Sequence, residues 1–177
     1  MSFSRQFGTR EIAVIAVMGA LTTIATSQFV IPFPPTRGYF NLGDVVVVTT
    51  GLLFGPVVGG LAGGIGSGLA DLLGGWMQYI IPTIITKGFE GFAVGYIAGK
   101  PENRTLSRNM LAWIIGAIIL ISGYFLAEAF FLGYGLPAAA AEAVTINVPQ
   151  AIVSALGIPI SIAIRKRLGN FLSVFFS

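Results

Sequence analysis

The chain has 177 residues, of which 55% are hydrophobic and 10% are charged, with a net charge of +3. Soluble domains carry about 25% charged residues, so this composition indicates an integral membrane protein, and so small a net charge does not suggest nucleic acid binding. The sequence contains neither cysteine nor histidine. This excludes disulfides, thiolate nucleophiles and Ser-His triads, and it removes the commonest metal ligand. We therefore expect no enzyme, no metal site and no cofactor.

Six hydrophobic segments follow one another along the chain. A bilayer core about 30 Å thick requires roughly 20 apolar residues per helix. The segments are residues 11–31, 44–54, 56–73, 79–99, 110–132 and about 141–164. The second is only about 16 Å long if helical, so it forms either a short tilted helix or a hairpin with the third that does not fully cross. The prediction is one all-α domain, 1–177, forming a six-helix transmembrane bundle with a short second helix.

Prolines and glycines set the segment boundaries. Pro32, Pro34 and Pro35 end the first segment, and Gly55-Pro56 separates the second from the third. Residues 133–137 are predicted to form a turn, and Pro149 and Pro159 to interrupt the sixth segment.

The third segment is rich in glycine, with nine glycines in residues 55–75. No Gly-Lys-Ser/Thr follows them, so they do not form a nucleotide-binding phosphate loop. Their four-residue spacing instead predicts close helix packing.

Basic residues concentrate at one side of the predicted bundle. Eight of the ten fall there: Arg5, Arg10, Lys100, Arg104, Arg108, Arg165, Lys166 and Arg167. The opposite side has Arg37 alone. By the positive-inside rule, both termini are expected in the cytoplasm.

Polar residues within the segments lie in the outer half or near the midplane. They are Asp44, Asp71, Lys87, Glu90, Glu128, Glu142, Asn147 and Gln150. A through-pore would need polar residues along its whole length, so the pattern favours a pocket that is open outward and closed below.

Four of these residues are candidates for a structural charge cluster: Asp71, Lys87, Glu90 and Asp44. Lys87 and Glu90 are three residues apart on one helix, and Asp71 can reach Lys87 across a short turn. Two alternatives stay open here. Asp44 can instead cap the second helix, and Lys87 can contact a ligand.

Uncharged amides and aromatic residues are the candidates for ligand contact. Asn147 and Gln150 offer both donors and acceptors, although Glu142 nearby also suits a helix start. A proline-stiffened loop, residues 33–43, is expected to cover the pocket as a lid. The predicted substrate-binding residues are Asn147, Gln150, Glu128, Tyr39, Phe40, Lys87, Trp76 and Tyr79. Aromatic faces and amide groups favour a flat heteroaromatic ligand.

Several motifs resemble a known family. They are Gly38-Tyr39-Phe40-Asn41-Leu42-Gly43-Asp44, Leu53-Phe54-Gly55-Pro56, the run from Gly63 to Gly75, and Lys87-Gly88-Phe89-Glu90-Gly91. They resemble the substrate-binding S components of energy-coupling factor (ECF) vitamin transporters, in particular the riboflavin-type branch. The resemblance implies a vitamin-binding subunit in a prokaryotic plasma membrane. Together with the aromatic and amide residues it favours riboflavin, with a small pyrimidine or pyridine vitamin as the alternative. It also implies that the subunit docks on a membrane T component that carries two cytoplasmic ATPases.

The first helix carries a possible docking face. The family's Ala-x-x-x-Ala pattern is matched by Ala16 and Ala20, with Ala13 on the same side. The resemblance implies contact with the T component, and packing inside the bundle is the alternative.

Two other functions compete with this interpretation. One is a stand-alone, proton-coupled secondary transporter with Asp71, Lys87 and Glu90 as its relay, although six segments without a repeated half are few for alternating access. The other is a membrane scaffold that has no ligand.

Overall fold

The computed structural model of the chain describes residues 8–100 and 104–173, with side chains as far as residue 168. Arg5, one of the basic residues used for orientation, lies outside the described residues. The first five segments form α1 (Thr9–Gln28), α2 (Gly43–Phe54), α3 (Pro56–Gly74), α4 (Ile80–Ala98) and α5 (Leu106–Leu126). A 3-10 turn, Met77–Tyr79, precedes α4. The predicted all-α membrane bundle is thereby confirmed.

The sixth segment is a chain of shorter helical pieces. These are α6 (Gly135–Glu142), a π-helical turn (Ala143–Asn147), α7 (Val148–Ser154) and α8 (Gly157–Ser173). The breaks fall just before Pro149 and Pro159, which cannot donate a backbone hydrogen bond to the preceding turn. A second π-helical turn, Ala127–Phe131, ends the fifth segment.

The predicted turn at 133–137 is longer than the one in the structure. Gly133 and Gly135 both have positive φ, but α6 already begins at Gly135. Pro137 lies in its first turn, where a missing N–H costs nothing.

Helix length and apolar composition together determine which segments qualify as bilayer spans. Four helical stretches in the described part of the chain are long and apolar enough: Thr9–Gln28, Pro56–Gly74, Leu106–Phe131 and Gly135–Leu168. The 19-residue α4 is as long as α3 but carries Lys87 and Glu90. The shorter α2 lies in the centre of the bundle, with nine of its twelve residues buried. It contacts α1, α3, α4 and α8, so protein rather than lipid surrounds it.

The glycines of α3 allow unusually close helix contact, as their spacing predicted. A Cβ atom added to Gly91 of α4 would lie 2.3 Å from the carbonyl oxygen of Gly59. One added to Gly59 would lie 2.8 Å from the Cα of Gly51 in α2. The backbones of α2, α3 and α4 therefore meet at one point where a side chain has no room.

A small β-hairpin occupies the predicted lid loop. Strand β1 (Ile31–Phe33) pairs antiparallel with β2 (Gly38–Phe40). The intervening turn places Arg37 at a φ of 57°. Sequence analysis missed these strands because three residues are too few to show a period-two pattern. We call residues 31–41 the hairpin segment.

Away from the hairpin segment, the bundle packs around an aliphatic cluster. Its buried members are Val48, Leu52, Val94, Ala98, Ala112 and Ile158, and we call them the inner cluster. They come from α2, α4, α5 and α8, so this end of the bundle is tied together by four helices.

Candidate ligand-binding site

A polar cavity lies directly beneath the hairpin segment. Its lining is Gly38, Tyr39, Asn41, Asp71, Tyr79, Thr83, Tyr124, Glu142, Asn147 and Gln150. The cavity volume is only about 20 Å³, which is enough for one water-sized molecule. Residues from every segment except the first two helices thus converge on a nearly closed space.

Three hydrogen bonds hold the hairpin segment down on the helices. The Tyr39 hydroxyl donates to Asp71 Oδ1 at 2.6 Å. The Tyr79 hydroxyl donates to the carbonyl of Thr36 at 2.9 Å. The backbone N–H of Asn41 donates to Oε1 of Gln150 at 2.8 Å. Each bond joins the segment to a different helical element, so the three together fix its orientation.

Aromatic contact and burial strengthen the attachment at Tyr39. Its ring centroid lies 4.2 Å from that of Trp76. Burial, and secondarily the neighbouring Asp71, raises the pKa of the Tyr39 hydroxyl far above its ordinary value. The hydroxyl therefore stays protonated and remains a donor at any physiological pH.

Gly38 allows the hairpin segment to approach the sixth segment. A Cβ atom at this position would lie 2.1 Å from Oε1 of Glu142. A larger residue at this position would therefore displace the Glu142 carboxyl group from its place beside the cavity.

The two π-helical turns bring acidic and amide groups toward the cavity. Glu128 lies in the turn Ala127–Phe131, and Asn147 ends the turn Ala143–Asn147. Such turns add a residue to one helical turn, shift the side chains that follow, and often occur at functional sites. The rotation they produce cannot be read from a 3.6-residue pattern.

Four buried polar atoms at or beside the cavity have no hydrogen-bond partner in the structure. They are Asp71 Oδ2, Glu128 Oε2, Glu142 Oε2 and Asn147 Nδ2. An unpaired buried polar atom costs about 1–3 kcal/mol. Four at one place mark a site that is suited to a polar ligand, chiefly one with hydrogen-bond donors.

The charge cluster differs from the predicted one in its connections. Lys87 forms an ion pair with Asp44 of α2, and its Nζ lies 3.9 Å from Oε2 of Glu90. Asp71 instead accepts the hydrogen bond from Tyr39, so the expected Asp71–Lys87 pair is wrong. The central position of α2 explains the exchange, because it brings Asp44 against α4.

The alternative role of Asp44 as a helix cap is also wrong. Its side chain makes no capping hydrogen bond at the start of α2. Oδ1 of Asn41 accepts the N–H of Gly43 at 2.9 Å instead.

The predicted substrate-binding residues fall into two groups. Tyr39, Tyr79, Asn147 and Gln150 line the cavity. The others stand outside its lining: Phe40 packs against Phe29, Trp76 stacks on Tyr39, Lys87 pairs with Asp44, and Glu128 Oε1 accepts from Tyr79 at 3.4 Å.

Sequence reasoning did not assign several lining residues to the ligand. The sequence assigns Asp71 to the charge cluster and Glu142 to a helix start. Thr83 and Tyr124, whose hydroxyls are 2.9 Å apart, were not singled out as ligand contacts. They lie on the buried faces of α4 and α5, and no spacing in the sequence shows that these faces meet.

The proposed docking alanines are exposed in the structure. Ala13, Ala16 and Ala20 lie on the outer face of α1. Its buried face consists of Gly19, Thr22 and Thr26. Packing of the three alanines inside the bundle is therefore excluded.

A helical membrane bundle with a closed polar cavity at one end and an aliphatic cluster at the other has the form of a membrane-embedded binding protein. Its fold matches a solved structure described as the S component of a bacterial ECF transporter, with a TM-score of 0.65 and 19% identity. The match covers 92% of this chain and 97% of that one.

The model of the family "ECF-type riboflavin transporter, S component" matches residues 6–166, and the chain belongs to this family. It is therefore a multi-pass membrane protein and a vitamin-binding subunit of an ECF importer, not an enzyme.

Two curated relatives extend the comparison. An uncharacterized protein of Pyrococcus woesei is 36% identical over 85% of this chain and 98% of its own length. The thiamine precursor transporter HmpT of Lactococcus lactis subsp. cremoris is 27% identical over 81% of this chain and 80% of its own length. The names of the family and of this second relative thus refer to different vitamins.

Proposed function

We propose that the protein captures a flat heteroaromatic vitamin, or a precursor of one, in the cavity beneath the hairpin segment. The observation that carries this proposal is the group of four buried, unpartnered polar atoms there. A ligand that supplied their missing hydrogen bonds would recover the free energy lost by burying them.

Ligand entry requires the hairpin segment to move. A cavity of about 20 Å³ is far smaller than the roughly 300–1,000 Å³ of ordinary ligand pockets. The hairpin segment is attached by a few hydrogen bonds and one aromatic contact, whereas the helices beneath it are packed together. It is therefore the part of the site that opens at the lowest cost, and it acts as a lid.

Riboflavin is the first candidate ligand. The family is named for it, and the tyrosine rings of the cavity offer faces for a fused ring system. Its ribityl hydroxyls would donate to the carboxylates, and the amides of Asn147 and Gln150 suit the ring edge.

A pyrimidine precursor of thiamine is the second candidate. The relationship to HmpT supports it, and so does the excess of carboxylates, because an aminopyrimidine presents several donors on one small ring. A single ring also requires less expansion of the closed cavity than three fused rings do.

Calorimetric titration of the purified protein with riboflavin and with 4-amino-5-hydroxymethyl-2-methylpyrimidine tests both candidates. Asn147→Ala and Glu142→Gln should each weaken binding of the true ligand by about 1–3 kcal/mol. Thr145→Ala is the matched control, since this residue lies in the same π-helical turn but is exposed and bonds to its own helix. Binding of neither ligand, or equal losses in all three variants, would contradict the proposed site.

We further propose that the cavity faces outward and that both termini are cytoplasmic. The distribution of eight basic residues supports this orientation. The natural absence of cysteine makes labelling simple: Arg37→Cys should react with an impermeant thiol reagent on intact cells, and Arg108→Cys only after lysis. The reverse pattern would overturn the orientation.

Partner docking is proposed for the exposed alanine face of α1. Small residues four apart allow another helix to approach closely, here a T component coupled to two ATPases. Ala16→Trp and Ala20→Trp should keep vitamin binding in isolation but lose co-purification with the T component and lose uptake. Gly66→Ala is the contrasting variant, because its Cβ would meet the Gly19 carbonyl 2.4 Å away and disturb the bundle itself. Vitamin uptake that proceeds without partner ATPases, and that a protonophore abolishes, would instead support a stand-alone transporter.

A further inference from the structure

A second polar cavity lies at the opposite end of the bundle from the ligand cavity, between the start of α5 and the C-terminal part of α8. Its polar lining is Arg104, Thr105, Asn109, Arg165 and Lys166, and its volume is about 410 Å³. We call it the basic cavity. Among its described lining residues are three cations and no carboxylate, so the local field favours an anion.

Structural roles account for only part of this arrangement. Arg104 donates to the carbonyls of Gly99 and Leu52, and Arg165 Nη2 donates to that of Leu52 at 3.1 Å. The bonds to Leu52 cap the C-terminal end of α2, and the bond to Gly99 lies at the C-terminal end of α4. Arg165 Nε, however, is buried without a partner, and Lys166 is exposed at the rim.

Asn109 supplies an independent indication of a ligand. The residue is only 2% exposed, it lines the basic cavity, and its Oδ1 has no hydrogen-bond partner. The sequence places Asn109 just before the fifth hydrophobic segment, but α5 begins at Leu106 and buries it. An unsatisfied acceptor among cations fits an anion that also carries a hydroxyl group.

The start of α5 adds donors of its own. Thr105 caps the helix and accepts the N–H of Arg108 at 3.2 Å. The N–H groups of the first two helical residues, Leu106 and Ser107, remain outside the intrahelical pattern, as at any helix start. Phosphate groups commonly bind to such ends.

The basic cavity lies at an end of the bundle, where a transmembrane protein is expected to meet the lipid headgroups. One membrane-span candidate begins at Leu106, which lines the basic cavity, and Leu168 directly follows the basic run 165–167 of α8. Both leucines are at least half exposed, so an apolar surface continues from the cavity along the outside of the bundle. Basic pockets at this level between transmembrane helices are suited to anionic lipids.

From these observations we propose that the basic cavity binds a phosphate group that bears a neighbouring hydroxyl, as in a phosphoglycerol headgroup. Arg165 and Lys166 would bind the phosphate, and Oδ1 of Asn109 would accept a hydrogen bond from the hydroxyl group. The same chemistry occurs in an anionic lipid and in soluble glycerol phosphate.

Native mass spectrometry and thermal-shift measurements on the purified full chain test the proposal. The lipid probes are phosphatidylglycerol, phosphatidic acid and phosphatidylcholine, and the soluble probes are inorganic phosphate and glycerol phosphate. Phosphatidylglycerol should be retained in preference to the other two lipids. Lys166→Gln should weaken its binding about five-fold.

Arg167→Gln is the matched control, because it removes the same charge from the next residue, which does not line the basic cavity. It should weaken binding much less than Lys166→Gln does. Asn109→Ala should reduce the preference for phosphatidylglycerol over phosphatidic acid without abolishing binding of either.

The outcomes separate the two sources. Lipid retention that depends on Lys166 identifies a headgroup site, and Lys166-dependent binding of glycerol phosphate alone identifies a soluble ligand. Equal losses in Lys166→Gln and Arg167→Gln would reduce the effect to general surface charge and overturn the proposal. No binding of any phosphate probe would overturn it as well.

Discussion

The cavity beneath the hairpin segment and the inner cluster are built partly from the same helices, yet they differ in almost every physical property. Along α4, Thr83 belongs to the cavity, Lys87 and Glu90 lie in the middle, and Val94 and Ala98 belong to the inner cluster. The cavity retains unsatisfied polar atoms, whereas the inner cluster is aliphatic. In α4 and α5, one end of the helix therefore lines the ligand cavity while the other end holds the bundle together.

The hairpin segment can move at a lower free-energy cost than the inner cluster. The hairpin segment is attached by separable hydrogen bonds, but the inner cluster would lose dispersion contacts along four helices if it opened. We expect ligand binding to rearrange the hairpin segment and to leave the inner cluster unchanged. The following substitutions test that division.

The largest effect is expected at the boundary between the two regions, in Lys87→Met. Removal of the cation leaves Asp44 buried without its counter-charge, which costs about 3–5 kcal/mol of folding free energy. Thermal unfolding in detergent measures the loss. The double variant Lys87→Met/Asp44→Leu should recover much of it, and a double variant as unstable as the single one would show that this ion pair is not the origin.

In the inner cluster, Leu52→Ala should lower the free energy of unfolding by about 2–5 kcal/mol, because it leaves a void around a fully buried side chain. Vitamin affinity, measured below the new unfolding temperature, should stay within two-fold of the wild-type value, on the order of 0.4 kcal/mol. A large loss of affinity would show that the two regions are coupled and that our division is wrong.

At the cavity the pattern should reverse in Gly38→Ala. The added Cβ would lie 2.1 Å from the Glu142 carboxyl group and displace it from the cavity lining, weakening ligand binding by about 1–3 kcal/mol. The unfolding temperature should change little. Gly88→Ala is the control, because its nearest neighbour would be at an ordinary 3.7 Å. Unchanged affinity in Gly38→Ala would mean that the hairpin segment does not cover the bound ligand.

The smallest effect is expected for Tyr39→Phe, which removes one of the three hydrogen bonds of the hairpin segment. The closed conformation of the hairpin segment should lose about 1 kcal/mol of stability relative to the open one. Emission of Trp76 reports this change when Trp113, the other tryptophan, is replaced by phenylalanine. If the emission spectrum and the ligand response are identical to those of the Trp113→Phe parent, this hydrogen bond does not hold the hairpin segment closed.

The local sequence was sufficient to locate the apolar helical segments and the polar residues within them. Pro56 starts α3 because a proline at a helix start loses no hydrogen bond. The α3 glycines predicted close packing because a four-residue spacing places them on one face of a helix. Apolar runs reveal spans since a bilayer accepts only segments that satisfy their own backbone hydrogen bonds.

Tertiary structure alone decided which side chains meet. Lys87 pairs with Asp44 rather than Asp71 because the short α2 lies in the centre of the bundle against α4. Glu128 and Asn147 reach the cavity region through π-helical turns that no regular period contains. These contacts join residues 40 or more positions apart, and they depend on the rotation of each helix about its axis. That rotation is set by packing across the whole bundle, so hydrophobicity within one segment cannot specify it.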